Sequence, residues 1–231
     1  SPANPEAGEL IQFKDSSSGN PSAWNWNFGD GSTSNLQNPT HTYNNAGTYT
    51  VTLQVSNGDY TRTVSKTITV LAPITVGFSY SPANPVVGQD VQFSNASAGS
   101  ITSYSWNFGD GSSSTLKDPV HKYSSAGNFT VTLNVTNARG SKSKSQTITI
   151  NQSLSPSFSY NPASPYAGQA VQFTDSSSGN PTSWSWDFGD GSTSSLQNPT
   201  HAYSGAGTYT VTLTAYNNLE TKTASKTINV K

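Results

Sequence analysis

The chain of 231 residues contains no cysteine and no methionine, and only 10% of its residues are charged. Without cysteine there can be no disulfide staple and no thiolate metal site, so any core must hold by packing alone; the absence does not fix the compartment. Eleven basic against twelve acidic residues leave a net charge of −1, which removes the attraction that binding to nucleic acid or an anionic membrane depends on. No apolar run approaches the roughly 18–20 residues of a membrane helix, so no membrane insertion is expected in this segment. No leader peptide is visible either, which points to a mature product or an excised segment. Helical periodicity is missing throughout. What remains is a coat of Ser, Thr, Asn and Gln, a composition that favours an extracellular, secreted or cell-surface setting.

What is present is repetition. Trp26-Asn-Phe-Gly-Asp-Gly31 recurs at 106–111 and, with one Asn→Asp change, at 186–191, in a fixed register of 80 residues. Residues shared by all three copies are expected to serve the fold; those found in one copy are where a separate task could sit. A unit of this size can bury its own core, so the reading is three domains, 1–71, 72–151 and 152–231. Their joints, Val70–Thr75 and Ile150–Pro156, are short and contain Pro73 and Pro156, so they are expected to act as stiff connectors.

Within each copy the pattern is that of strands. Tyr104, Trp106 and Phe108 alternate with polar residues, as do Tyr49, Val51, Leu53 and Val55, the period of half-buried β-structure. Turn signals such as Gly29-Asp30-Gly31 and Asn57-Gly58 separate about seven short strands per copy. The fold expected is all-β, three tandem immunoglobulin-like antiparallel sandwiches. Copies two and three open with Gly77-Phe-Ser-Tyr80 and Ser157-Phe-Ser-Tyr160, whereas copy one starts at Ser1-Pro2 without that segment. Its first strand is therefore expected to come from a longer natural polypeptide or from a neighbouring chain.

The strings around Trp26, then Asn38-Pro-Thr-His-Thr-Tyr43, then Ala46-Gly-Thr-Tyr-Thr-Val-Thr-Leu53, closely resemble the PKD (polycystic kidney disease) domain family, in all three copies. The resemblance implies immunoglobulin-like sandwiches in extracellular proteins, where they serve as accessory or spacer modules and not as catalysts. The residues carrying it are Trp26, Asp30, His41 and Tyr43, then Trp106, Asp110, His121 and Tyr123, then Trp186, Asp190, His201 and Tyr203, and structural roles are expected for all twelve. A hydrolytic triad of Asp, His and Ser is disfavoured because no Gly-x-Ser-x-Gly elbow occurs. No cofactor, catalytic or metal residue is assigned. In PKD modules of collagenases a calcium ion is held near the lead-in segment; the matching loops here keep an acid only at Asp59 and Glu220, too few for the 6–8 oxygens such an ion takes.

Three aromatics belong to single copies: Tyr60, Tyr166 and Tyr216. They are the candidates for stacking on a carbohydrate. Glycosylation sequons begin at Asn95, Asn128, Asn134 and Asn151. The function expected is a non-enzymatic spacer or adhesion segment forming an elongated rod in a larger protein. The alternative is an accessory module that binds polysaccharide or fibrous protein beside a secreted hydrolase. Partners are then other domains of the same polypeptide, a polysaccharide, a fibre or neighbouring surface proteins, and no nucleic acid.

Overall fold

A computed structural model describes residues 4–231; Ser1 and Pro2, on which the reading of an absent first strand partly rests, lie outside the described residues. Repeat one forms β1 Leu10–Gln12, β2 Ala23–Asn27, β3 Thr33–Ser34, β4 Thr40–Thr42, β5 Gly47–Ser56 and β6 Thr61–Val70. Repeat two forms β7 Phe78–Ser81, β8 Asp90–Asn95, β9 Ser103–Asn107, β10 Ser113–Ser114, β11 Val120–Lys122, β12 Gly127–Asn137 and β13 Gly140–Ile150. Repeat three forms β14 Phe158–Asn161, β15 Ala170–Asp175, β16 Ser183–Asp187, β17 Thr193–Ser194, β18 Thr200–Ala202, β19 Gly207–Tyr216 and β20 Thr221–Val230.

Each repeat has one four-stranded sheet of the same order: β3-β2-β5-β6, β10-β9-β12-β13 and β17-β16-β19-β20. The smaller sheets are β11-β8-β7 and β14-β15-β18, and among the described residues that of repeat one is β1-β4. Every strand pair of these sheets whose register is resolved is antiparallel. Alternation places Trp186, Val211, Leu213, Ala215 and Ile228 inside repeat three, each 0% exposed, and the intervening threonines outside. Burying such side chains contributes roughly 1.5–3 kcal/mol each, which is how a domain without disulfides holds together.

The chain divides into two compact units, Ser1–Ser79 with Ser94–Pro119 and Val131–Gln146, and Tyr80–Phe93 with Val120–Thr130 and Thr147–Lys231. The division falls inside repeat two, assigning most of its four-stranded sheet to the first unit and most of its three-stranded sheet to the second.

Each repeat also closes on itself the same way. The last strand runs parallel to the repeat's own Pro-rich lead-in: Leu71 N–H donates to Pro5 O at 2.8 Å, Asn151 N–H to Pro85 O at 2.8 Å, and Lys231 N–H to Pro165 O at 2.8 Å. A proline carbonyl accepts each bond, and the ring's missing N–H is not needed there.

Candidate functional site

The shared motif folds into one polar corner beside the core. Gly29 has φ of +83°, and a Cβ on it would stand 2.6 Å from Thr50 O; Gly189 is the same against Thr210 O. Only glycine fits a turn that must both adopt left-handed backbone and touch the neighbouring strand. That turn carries the aspartate. Asp30 Oδ1 accepts the Ser32 N–H at 3.0 Å and Oδ2 meets His41 Nε2 at 2.7 Å, and Asp190 meets His201 at 2.8 Å. His41 stacks on Phe28 with centroids 4.2 Å apart, His201 on Phe188 at the same distance. Tyr43 and Tyr203, both buried, donate their hydroxyls to Phe28 O at 2.8 Å and Phe188 O at 3.1 Å.

Burial opposes ionisation of Asp30, but the Ser32 N–H and the imidazole outweigh it and hold the carboxyl below its usual range. The same balance lowers Asp190. Burial first, and then the Asp30 charge, push the Tyr43 phenol up to about 12, so it remains a donor. The hydroxyls of Ser32 and Ser192 bond the carboxylates. A hydrolytic triad needs serine on the imidazole and aspartate behind it; here serine and histidine share the aspartate. In repeat two, Asp110 accepts from the Ser112 amide and hydroxyl, and His121 meets Tyr123 edge-on at 4.6 Å. Trp106 and Trp186 are fully buried and donate Nε1–H to Leu116 O and Leu196 O at 2.9 Å, while Trp26 is 6% exposed.

The joints hold a second polar cluster. Ahead of repeat three, Glu220 accepts the Leu154 N–H at 2.5 Å and the Ser153 hydroxyl at 3.1 Å, and Lys222 pairs with it at 3.0 Å. Desolvation raises the Glu220 pKa, yet these donors together hold it below the usual value. Ahead of repeat two, Lys142 donates to Ile74 O at 3.0 Å and Ser100 N–H to Ala72 O at 3.1 Å. Gly99 and Gly179 lie so close to the joints that a Cβ would stand 2.5 Å from Pro73 O and from Ser153 O. Arg139 also pairs with Glu9. A lysine ammonium thus fills the place where a calcium ion would need carboxylates, and the residues present do not suit that ion. Among the described residues no group of three His, Cys, Asp or Glu side chains could hold a metal.

The single-copy aromatics separate. Tyr60 and Tyr166 are 67% and 64% exposed, with Arg62 and Lys231 about the ring faces at 5.8 and 6.0 Å. Tyr216 differs from these two: it is half-buried, with Ser183 of β16 and Thr221 of β20 flanking β19 there. Of the sequons, Asn128 is exposed, while Asn95 and Asn134 are half-buried. Asn151 is half-buried, and its Nδ2, the atom that would carry a sugar, donates to Pro85 O at 3.2 Å.

Two features escape a reading of motifs. Asp15 and Asp175 accept Nε1–H of Trp24 and Trp184 at 2.8 and 2.9 Å; the signal was there, since repeat two has Asn95 with Tyr104 where the others have Asp with Trp. The outer faces of β5 and β6 pair Thr48 with Thr69, Thr50 with Thr67 and Thr52 with Ser65, a ladder of hydroxyls. Repeat three repeats it with Thr210–Thr227, Thr212–Ser225 and Thr214–Thr223.

The PKD domain family matches residues 3–72, 73–152 and 160–231. The chain belongs to the PKD domain family. Collagenase ColA of Bacillus cereus is 40% identical over 84 residues, covering 34% of this chain and 9% of that protein. Pre-pro-metalloprotease PrtV of Vibrio cholerae is 42% identical over 69 residues, 28% of this chain and 8% of the relative. The chain thus spans less than a tenth of these relatives. A structure of titin domains I67–I69 superposes with a TM-score of 0.59 at 17% identity, covering 99% of this chain and 95% of the other. That likeness establishes three tandem immunoglobulin-like domains, and the PKD motif corner is where this chain's own sequence signature sits within them.

Proposed function

We propose that these PKD repeats, as domains 1–71, 72–151 and 152–231, form a non-enzymatic spacer that holds other domains of a larger extracellular protein apart. The observation that carries this reading is the use made of the repeated polar residues: Asp30, His41 and Tyr43 direct their hydrogen bonds to one another and to the backbone. The joints support it too, since Gly99 and Gly179 admit them to close backbone contact and Lys142, Glu220 and Lys222 bind them. Such bonds hold each lead-in to the repeat that follows it, which shortens the stretch left free between repeats. Collagen lies outside cells, so kinship with a collagenase favours an extracellular setting. Small-angle scattering tests the spacer: a maximum dimension of roughly 100–120 Å is expected for an extended chain of strands end to end. A value near the ~55–60 Å of a compact protein of this size would overturn it.

The hydroxyl ladders favour a second reading, a module that lies flat on a neutral polymer. Rows of Thr and Ser spaced along a sheet offer donors and acceptors without charge. Sedimentation with insoluble chitin, cellulose and collagen separates the two readings, because a pure spacer stays in the supernatant.

A further inference from the structure

All four sequons begin within repeat two, and the fold treats them differently. Asn95 is half-buried, its Oδ1 accepts the Ser97 N–H at 3.1 Å, and the Ser97 hydroxyl donates to Gly77 O at 3.2 Å. Asn134 is half-buried beside Ser105 of β9, and the Thr136 hydroxyl is shared with Ser141 at 2.9 Å. Asn151 is half-buried, with Nδ2 on Pro85 O and the Ser153 hydroxyl on Glu220. In each of these the amide or the hydroxyl of the sequon is covered or engaged.

Asn128 departs from the other three. Asn128 and Thr130 are both exposed, and alternation along β12 sets them on one face, while Phe129 between them turns inward onto Tyr123, ring centroids 4.5 Å apart. The Thr149 hydroxyl donates to Asn128 Oδ1 at 2.8 Å, and among the described residues Nδ2 has no hydrogen-bond partner. The asparagine is also particular to this repeat. Repeats one and three have Thr48 and Thr208 at its place, and in repeat three the cross-strand bond is made the other way round, Thr208 donating to Asn229 Oδ1 at 2.9 Å. Exchanging the two residues between strands keeps the bond and brings the amide two positions ahead of a threonine.

We propose that Asn128 is an N-glycosylation site, the acceptor of an oligosaccharide carried on a lipid pyrophosphate. In the transfer Nδ2 forms a bond to the anomeric carbon of the first sugar, and the bond from that carbon to the phosphate oxygen breaks. The lipid pyrophosphate leaves with the electron pair, and the amide gives up one proton to a base of the membrane transferase. What the fold must supply is room for the product, a bulky polar group that belongs on the surface. At Asn128 that room exists: the substituted amide keeps its carbonyl for Thr149, the sugar extends from an exposed face, and Phe129 stays on the core. The glycan stands at the Asn128–Thr149 end of the hydroxyl ladder of repeat two, and repeats one and three contain no sequon.

The test is mass mapping of the peptide spanning Asn128, in protein secreted by its own producing cells and in the 231-residue chain secreted from a host with N-glycosylation machinery. A sugar-bearing mass at Asn128 is expected in both, with conversion of Asn128 to Asp on enzymatic release of the glycan. The modification should vanish in Asn128→Gln and Thr130→Val and persist in Thr130→Ser. Thr48→Asn should install the same modification in repeat one, because that position is exposed and Thr50 lies two residues on. Glycosylated and enzymatically stripped protein should melt alike, with the β12 amides equally protected from exchange. Asn128 bare in protein from its producing cells would overturn the proposal. So would sugar on Asn95, Asn134 or Asn151 with none on Asn128, or a glycosylated chain whose β12 amides have lost their protection.

Discussion

Trp26→Ala and Trp186→Ala make the same chemical change at the same place in two repeats, and the structure assigns them different costs. Trp186 is fully buried, is ringed by Phe158, Phe173 and Phe188 with centroids 5.0, 5.6 and 6.4 Å away, and donates to Leu196 O. Deleting a large buried aromatic costs about 3–5 kcal/mol, and the upper half of that range applies because Leu196 O also loses its donor, at about 1 kcal/mol. Trp26 lines a groove of about 760 Å³ with Phe13, Val51 and Leu53, has no counterpart of Phe158 among the described residues, and its Nε1–H has no partner there to lose. Its cost should be lower, about 2–3 kcal/mol, since one wall of the cavity is already absent. Native-state hydrogen exchange reads both within one protein: the amides of β19 report repeat three and those of β5 report repeat one, without requiring the chain to melt as one unit. Equal costs in the two repeats, or a Trp186→Ala cost below about 1 kcal/mol, would refute the assignment of these indoles to differently completed cores.

Acid should loosen the Asp–Trp links. The Asp15 carboxyl is held down to about 2 by its bonds from Ser17, Trp24 and Gln37 against the opposing effect of burial, so its contribution is fully present above the ordinary pKa near 4 and is lost as pH falls through about 2. The Trp24 indole N–H signal should follow that titration, and Asp15→Asn should remove the dependence. Glu220→Gln should destabilise the joint ahead of repeat three by about 1.5–3 kcal/mol, the range for a hydrogen bond to a charged group, seen as faster exchange at the Leu154 amide with the β19 core unchanged. Gly189→Ala should cost more than about 1 kcal/mol, because φ is +81° and the new methyl would meet Thr210 O, and thermal melting checks it.

The strands were legible because alternation and turns are local signals: Tyr104, Trp106 and Phe108 announce β9 on their own, as Tyr49, Val51, Leu53 and Val55 announce β5. Tertiary pairing was not. Asp30 reads as a turn residue accepting backbone amides, and it is one, through Oδ1; its second oxygen serves His41, eleven residues on and in another strand. The Glu220 cluster was visible only as a lone acid near a joint, since its partners Ser153 and Leu154 lie 67 and 66 residues away. Alternation along β19 put Tyr216 on the outward face but carried no information on how far its flanking strands cover the ring. The Asn151 sequon met the pattern while its amide was already engaged by the lead-in proline.

Comparing repeats one and three also separates two parts of the fold that share a core. The groove beside Trp26 leaves the motif corner undisturbed: the Phe–His stack is 4.2 Å in both, Tyr43–Tyr49 is 4.2 Å against 4.3 Å for Tyr203–Tyr209, and the Asp–His contact is 2.7 against 2.8 Å. At the other end, Trp26 has no hydrogen-bond partner and Phe13 is only half-buried. The Asp–His–Tyr corner is therefore built by the turn at Asp30 and strands β4 and β5, and does not depend on a first strand. The tryptophan end does. It follows that a change confined to the tryptophan end should be silent at His41 and Tyr43, while any ligand that perturbs those residues must act at the corner. Spectral changes in repeat one can thus be assigned to one end or the other.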